Sequence, residues 1–218
     1  MELLLLPGLD GSGDLFGPFI EALPAGFSAR PVRYRAEDSE YERILETLEL
    51  PPGEFGIVAE SFSGPLGVML ASRCQRVRGL ALAASFVTNP SRLTAAAALL
   101  RSMPRGSLPS WAMRRFLLGD SASEAECELV RQSISSTLPK TIAARLAQVR
   151  RVDARAELRA LKIPKLLLRP EKDRLIARRA FDEVEASGAR VLEVPGAPHL
   201  VLQRAAEVCA QACAIHFA

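Results

Sequence analysis

Three side chains that together can cleave an acyl bond each stand at the end of an apolar run in this chain. The first is Ser61, in Gly56-Ile57-Val58-Ala59-Glu60-Ser61-Phe62-Ser63-Gly64-Pro65, where an apolar stretch stops on a hydroxyl flanked by small residues. Phe55 to Ala59 reads as a buried strand and Gly64 to Ser72 as a helix of small and apolar residues, so Ser61 falls on the turn between them. A turn that presents a nucleophile in this way is strained, and it needs small residues two positions to either side. Ala59 and Ser63 fill those places, where glycine is usual. A serine hydroxyl is nearly inert at its own pKa and needs a base. Of the two histidines, His199 follows the apolar run 190–194 and a Pro/Gly loop, which puts an imidazole at the mouth of a sheet. His216, two residues from the end, reads as a surface residue of the last helix. Asp173, just past the apolar run at Lys165 to Leu168, is placed to hold the imidazole, with Glu171 as the competing carboxylate.

The elements that must position these groups alternate between apolar runs and helical patterns, which predicts a parallel sheet wound with helices. Strands are expected near 2–6, 28–34, 55–60, 79–85, 164–169 and 190–194, six in all and all parallel. Helices are expected near 15–23, 40–49, 63–74, 177–187 and 200–216. From Phe86 to Leu161 the alternation stops and the pattern is helix after helix. Asn89 before Pro90, Ser110 after Pro109, and Asp153 read as N-caps, and Ser121 with Glu124 reads as a capping box. Gly119 and Pro139 punctuate the set.

With these residues in place, the chain resembles the α/β-hydrolase superfamily, in particular the small capped carboxylesterases that include the pimeloyl-acyl-carrier-protein methyl ester esterases. The resemblance covers nearly the whole chain, from Glu2-Leu3-Leu4-Leu5-Leu6-Pro7-Gly8-Leu9-Asp10-Gly11-Ser12-Gly13 to the histidine loop and last helix. It implies an α/β-hydrolase fold with a mostly parallel six-stranded sheet, helices on both faces and a helical cap. The core is then 1–86 with 161–218, and the cap is 87–160. It also implies a catalytic triad of Ser61, Asp173 and His199, with the backbone amides of Leu9 and Phe62 as oxyanion donors. Pro7 stands where the family usually carries histidine, and Ala59 and Ser63 where it usually carries glycine, so the loop geometry differs and the turn is more crowded. An apolar acyl pocket is expected from Trp111, Met113, Phe116 and Leu117 of the insertion, with Leu9, Phe62 and Leu200 near the serine.

Composition bounds the rest. A chain of 218 residues that is 49% hydrophobic can bury one sizeable core. Cys74, Cys127, Cys209 and Cys213 are scattered and read as reduced, buried or half-buried thiols rather than metal ligands. No metal or nucleotide cofactor is expected. The four-residue apolar start is too short for a signal peptide and no run reaches the length of a membrane span, so a cytoplasmic protein is expected. Residues 86–160 carry 12 Lys and Arg against 6 Asp and Glu, although the whole chain is only +3. Arg101, Arg105, Arg114, Arg115, Arg150, Arg151, Arg155 and Arg159 could steer an acidic carrier protein or an anionic substrate, or could be solvated helix faces. The modest net charge and the lack of an aromatic-interleaved basic motif argue against nucleic acid. The leading expectation is a serine carboxylesterase or thioesterase acting on small or carrier-bound acyl esters. An acyltransferase, a lactone or C–C bond hydrolase with the same triad, and a non-catalytic hydrolase-fold binding protein are the alternatives.

Overall fold

The computed structural model describes residues 1–90 and 108–217. Six strands, β1 (Glu2–Leu6), β2 (Ser28–Pro31), β3 (Phe55–Glu60), β4 (Val77–Ala83), β5 (Lys165–Pro170) and β6 (Arg190–Val194), form one sheet in the order β2-β1-β3-β4-β5-β6. Every neighbouring pair is parallel, as expected. All six residues of β3 are buried, because a parallel sheet is covered on both faces and its central strands read as continuous apolar runs. β2 ends short of the expected 28–34, since Val32 N makes the last bond to β1, donating to Leu5 O at 2.9 Å, and the Tyr34 amide then donates to Gly11 O at 2.8 Å instead of continuing the ladder. β4 stops at Ala83 because Ala84 takes a φ of 46°.

The two faces of the sheet bury separate layers. One gathers Leu4, Leu6, Ile57, Leu80, Leu82 and Leu167 under α2 (Tyr41–Thr47), α3 (Gly64–Arg73) and α8 (Arg178–Glu185). The other gathers Leu3, Leu5, Val58, Ala81, Leu166 and Leu168 under α1 (Gly17–Glu21), α9 (Val201–Arg204) and α10 (Ala206–Phe217). Cys209 and Cys213 are buried in this second layer as free thiols, as expected of small apolar residues. In α3, a Cβ on Gly64 would lie 2.0 Å from Ser85 Oγ and 2.6 Å from Phe86 O, so only glycine lets the helix start this close to the chain leaving β4.

Between β4 and β5 the described helices are α4 (Ser110–Met113), a wide π turn (Arg114–Leu118), α5 (Glu124–Ser135), α6 (Pro139–Val149) and α7 (Arg155–Ala160). Met113, Leu118, Ala122, Cys127 and Val130 form a small core of their own, closed by Leu200 from the histidine loop. Ile142, Leu146, Val149 and Leu158 join the first sheet layer instead, so α6 and α7 pack on the body. The capping box lies two residues later than the sequence pattern suggests. Ser123 Oγ accepts from Glu126 N at 3.2 Å, and the Glu126 carboxylate accepts from Ser123 N at 2.7 Å. Ser-x-x-Glu occurs twice in succession, and the turn closed by Ala122 N donating to Gly119 O selects the second copy. Ser110 is the first helical residue rather than the cap and donates to Glu124 at 2.5 Å. Asp153 lies one residue before the Ala154 cap position and accepts from Arg155 N at 3.2 Å. The helix expected after Asn89 and Pro90 lies outside the described residues. Among the described residues no helix is long and apolar enough to cross a membrane.

Candidate active site

The parallel register brings six strand ends to one edge, with Leu6 opposite Ala59, Ala59 opposite Leu82, Ala83 opposite Leu168 and Pro170 opposite Val194. The loops that follow therefore emerge side by side. The chain lays β2 on one side of β1 and then places β3 on the other, so the loops leaving β1 and β3 diverge and open a crevice, the usual ligand position in such sheets. Ser61 leaves β3 at this point.

Ser61 has a φ of 48°, one of two non-glycine residues with positive φ among the described residues. That conformation costs about 1–3 kcal/mol and persists only where the surroundings enforce it. Here they do: Ser85 Oγ donates to Ser61 O at 2.6 Å, and Tyr41 OH donates to Phe62 O at 2.9 Å while its ring stacks on Phe62. Ser63 Oγ donates to Pro7 O, and Tyr34 OH lies 2.5 Å from Ser63 Oγ. Ser63 has one hydroxyl proton, so Tyr34 must be the donor of that second bond. Burial holds the Tyr34 phenol far above its ordinary range, which keeps the proton in place.

The hydroxyl of Ser61 lies 2.9 Å from His199 Nε2, and His199 Nδ1 lies 2.8 Å from Asp173 Oδ2. An ionised carboxylate only accepts, so the neutral imidazole carries its proton on Nδ1 and turns a lone pair toward Ser61. Asp173 is itself held, because its Oδ1 accepts from Leu175 N at 2.7 Å and Ile176 N at 2.9 Å. The His199 side chain is 3% exposed and that of Asp173 2%. Burial disfavours the imidazolium, but the charge and hydrogen bond of Asp173, with a smaller contribution from Glu60, outweigh it and raise the His199 pKa. Glu171 lies elsewhere: its carboxylate accepts from Gly196 N at 2.6 Å and braces the turn before the histidine.

The loop after β1 passes close to Ser61, since a Cβ on Gly8 would meet Ser61 Cβ at 4.0 Å. Gly11 N donates to Gly8 O at 3.1 Å, closing a turn over residues 8–11. In a trans peptide the N–H points opposite the C=O, so holding Gly8 O inside the turn directs the Leu9 amide outward. By the same geometry, Ser85 on Ser61 O directs the Phe62 amide away from Ser85.

Sequence reasoning missed Glu60, the residue before Ser61. It is 3% exposed, its Oε1 has no partner among the described residues, and Gln203 Nε2 reaches Oε2 only at 3.4 Å. Burial, then Asp10, push its pKa up to about 7. The expected pocket residues separate. Met113 and Leu200 meet in the core that joins the insertion to the histidine loop, and Leu200 N donates to Leu117 O at 2.9 Å. Trp111 is 64% exposed and Phe116 37% exposed, because the π turn rotates Phe116 outward, where Arg115 lies over its ring at 5.6 Å. His216 is half-buried beside β6 rather than at the surface, on the sheet layer away from Ser61. Among the described residues no group of three or more metal-ligating side chains occurs.

A family model described as the alpha/beta hydrolase family matches residues 3–212. No curated protein matches the chain in sequence. Among solved structures, an esterase from Exiguobacterium antarcticum superposes with a TM-score of 0.84 at 14% identity, covering 100% of this chain and 91% of that one. The enol-lactonase from Burkholderia xenovorans LB400 gives 0.81 at 19% identity, covering 99% and 90%. A thermophilic esterase from Thermogutta terrifontis gives 0.80 at 19% identity, covering 99% and 88%. At these identities the likeness is one of fold.

Proposed function

The chain belongs to the α/β-hydrolase family, and from that premise we propose that it is a serine hydrolase cleaving carboxylic esters or thioesters of small or carrier-bound apolar acyl groups. The observation that carries this reading is the hydrogen-bonded line from Ser61 Oγ through His199 to Asp173, with Ser61 held at positive φ. In this mechanism Ser61 attacks the acyl carbon while His199 Nε2 takes its proton, and Asp173 stabilises the imidazolium. The amides of Leu9 and Phe62 receive the oxyanion, each worth about 3–4 kcal/mol. His199 then protonates the departing alcohol or thiol, and on deacylation it activates the water that releases the acid. The same side chains would serve a lactone or an acceptor other than water, so product analysis belongs in the test. We read residues 87–160 as the cap over this site, with its basic surface as a dock for an acidic carrier protein.

A fluorophosphonate probe and p-nitrophenyl esters of graded chain length, beside acyl-carrier methyl esters and thioesters, test the reading. The wild-type protein should label and turn over, and Ser61→Ala should lose labelling together with several orders of magnitude in kcat while melting as a folded protein. Labelling that persists in Ser61→Ala, or a loss below about tenfold, would move the nucleophile elsewhere.

A further inference from the structure

Arg145, on α6, is the largest fully buried side chain in the described protein at 0% exposure. A buried cation is costly unless its donors are met, and a carboxylate is the usual partner. Among the described residues its four acceptors are all main-chain carbonyls. Nε donates to Asp38 O at 3.0 Å and Nη2 to Arg35 O at 3.3 Å. Nη1 donates at 2.9 Å to both Leu9 O and Asp10 O. The guanidinium lies over the Tyr34 ring at 5.4 Å, and residues 91–107 contain no Asp or Glu.

Two of these carbonyls belong to the turn that carries the Leu9 amide. Gly8 O is drawn into the turn by Gly11 N, while Leu9 O and Asp10 O are drawn outward to α6, which leaves the turn one orientation. Gly11, at φ 71°, makes room for this arrangement, because a Cβ there would lie 2.5 Å from Arg145 Nη1. Two neighbours from the same insertion grip the same residue: Thr137 Oγ1 donates to Asp10 O at 2.5 Å and Ser133 Oγ to Asp10 Oδ2 at 2.8 Å.

We propose that Arg145 is a positioning residue that reaches from the helical insertion into the body and sets the Leu9 amide as an oxyanion donor, so that the insertion governs transition-state stabilisation without touching substrate. The proposal rests on the serine-hydrolase reading. Nη1 alone holds the two successive carbonyls, while Nε and Nη2 fix the guanidinium plane on Asp38 O and Arg35 O; an ammonium is a point donor that cannot keep all four, so Lys is not equivalent at this site.

The test measures kcat, KM and the affinity for a trifluoromethyl ketone, which forms a tetrahedral adduct with an active serine, in wild type, Arg145→Lys, Arg145→Met and Arg145→Ala. Folding is followed by circular dichroism and thermal melting. Folded variants should lose about 10²–10³ in kcat, the loss seen when one oxyanion donor is removed. KM should stay within about threefold, ketone affinity should fall in parallel with kcat, and millimolar guanidinium should restore part of the activity of Arg145→Ala. A folded variant with unchanged kcat, or a loss confined to KM, overturns the proposal. Failure of every variant to fold, with no recovery on guanidinium, overturns it as well, leaving Arg145 a structural anchor. Inactivity of the wild type toward both ester and ketone would instead refute the serine-hydrolase reading.

Discussion

Glu60 gives the residue scale its clearest test, because a carboxyl adjacent in sequence to Ser61 is buried with one oxygen that has no partner among the described residues. Its pKa, pushed by burial and by Asp10 from 4.5 to about 7, carries two consequences of known sign. The folded state binds its proton more tightly than the unfolded state, so stability falls as pH rises from about 4.5 to about 7, by roughly 3 kcal/mol at most. Ionised Glu60 also raises the His199 pKa, which delays formation of the neutral imidazole. Glu60→Gln keeps the shape and can still accept from Gln203. It should therefore raise the melting temperature at pH 8 more than at pH 5, and shift the acidic limb of kcat/KM to lower pH. An acidic limb that stays in place would remove Glu60 from the electrostatics of the site.

At the scale of elements, two of the three departures from the family's usual pattern meet each other. Pro7 replaces the usual histidine and Ser63 the usual glycine, and the Ser63 hydroxyl donates to the Pro7 carbonyl while accepting from Tyr34. The crowding expected of a serine at this turn is thus used as a tie between the loop after β1 and the start of α3. All three groups are buried, so removing the hydroxyl leaves a carbonyl and a phenol without partners. Ser63→Ala should lower the unfolding free energy by about 1–3 kcal/mol with the denaturant slope unchanged, read from urea titration. A neutral result would mean that water or a local shift replaces the tie.

For the whole molecule, the basic excess of the insertion is only partly available for docking. Arg114 pairs with Glu124 at 3.0 Å, and Arg155 with Asp153 at 2.7 Å. Arg101 and Arg105 lie outside the described residues. Arg115, Arg150, Arg151 and Arg159 are exposed. Arg150 and Arg151 follow the end of α6, away from the packing that Arg145 serves. If an acidic carrier docks there, reversing both to Glu should raise KM for a carrier-bound ester at least severalfold and leave a small neutral ester unchanged. Salt should imitate the reversal for the carrier substrate alone, because the Debye length shrinks from about 10 Å at 0.1 M to about 3 Å at 1 M. Equal effects on both substrates would indicate damage to the insertion instead.

The residues determined by sequence alone are those whose signal is local. Ser61, Asp173 and His199 each follow a strand on a short turn, and the buried strands β1, β3, β4 and β5 coincide with apolar runs, because burial on both faces of a parallel sheet demands continuous hydrophobicity, whereas the edge strands β2 and β6 are mostly exposed or half-buried. Tertiary structure alone decided what holds them. Arg145 meets Leu9 across 136 residues, and Ser85 meets Ser61 across 24. Neither has a sequence pattern, since a side chain that donates to a distant carbonyl looks like any polar residue of its helix or loop. Trp111 and Phe116 part from Met113 although they are close in sequence: Trp111, two residues before Met113 on α4, points the other way, and the π turn at 114–118 carries Phe116 outward while Leu118 joins Met113 inside. The positive φ at Ser61 joins the two levels, foreshadowed by its small neighbours and enforced by Ser85, by Tyr41 and by the tie from Ser63 to Pro7.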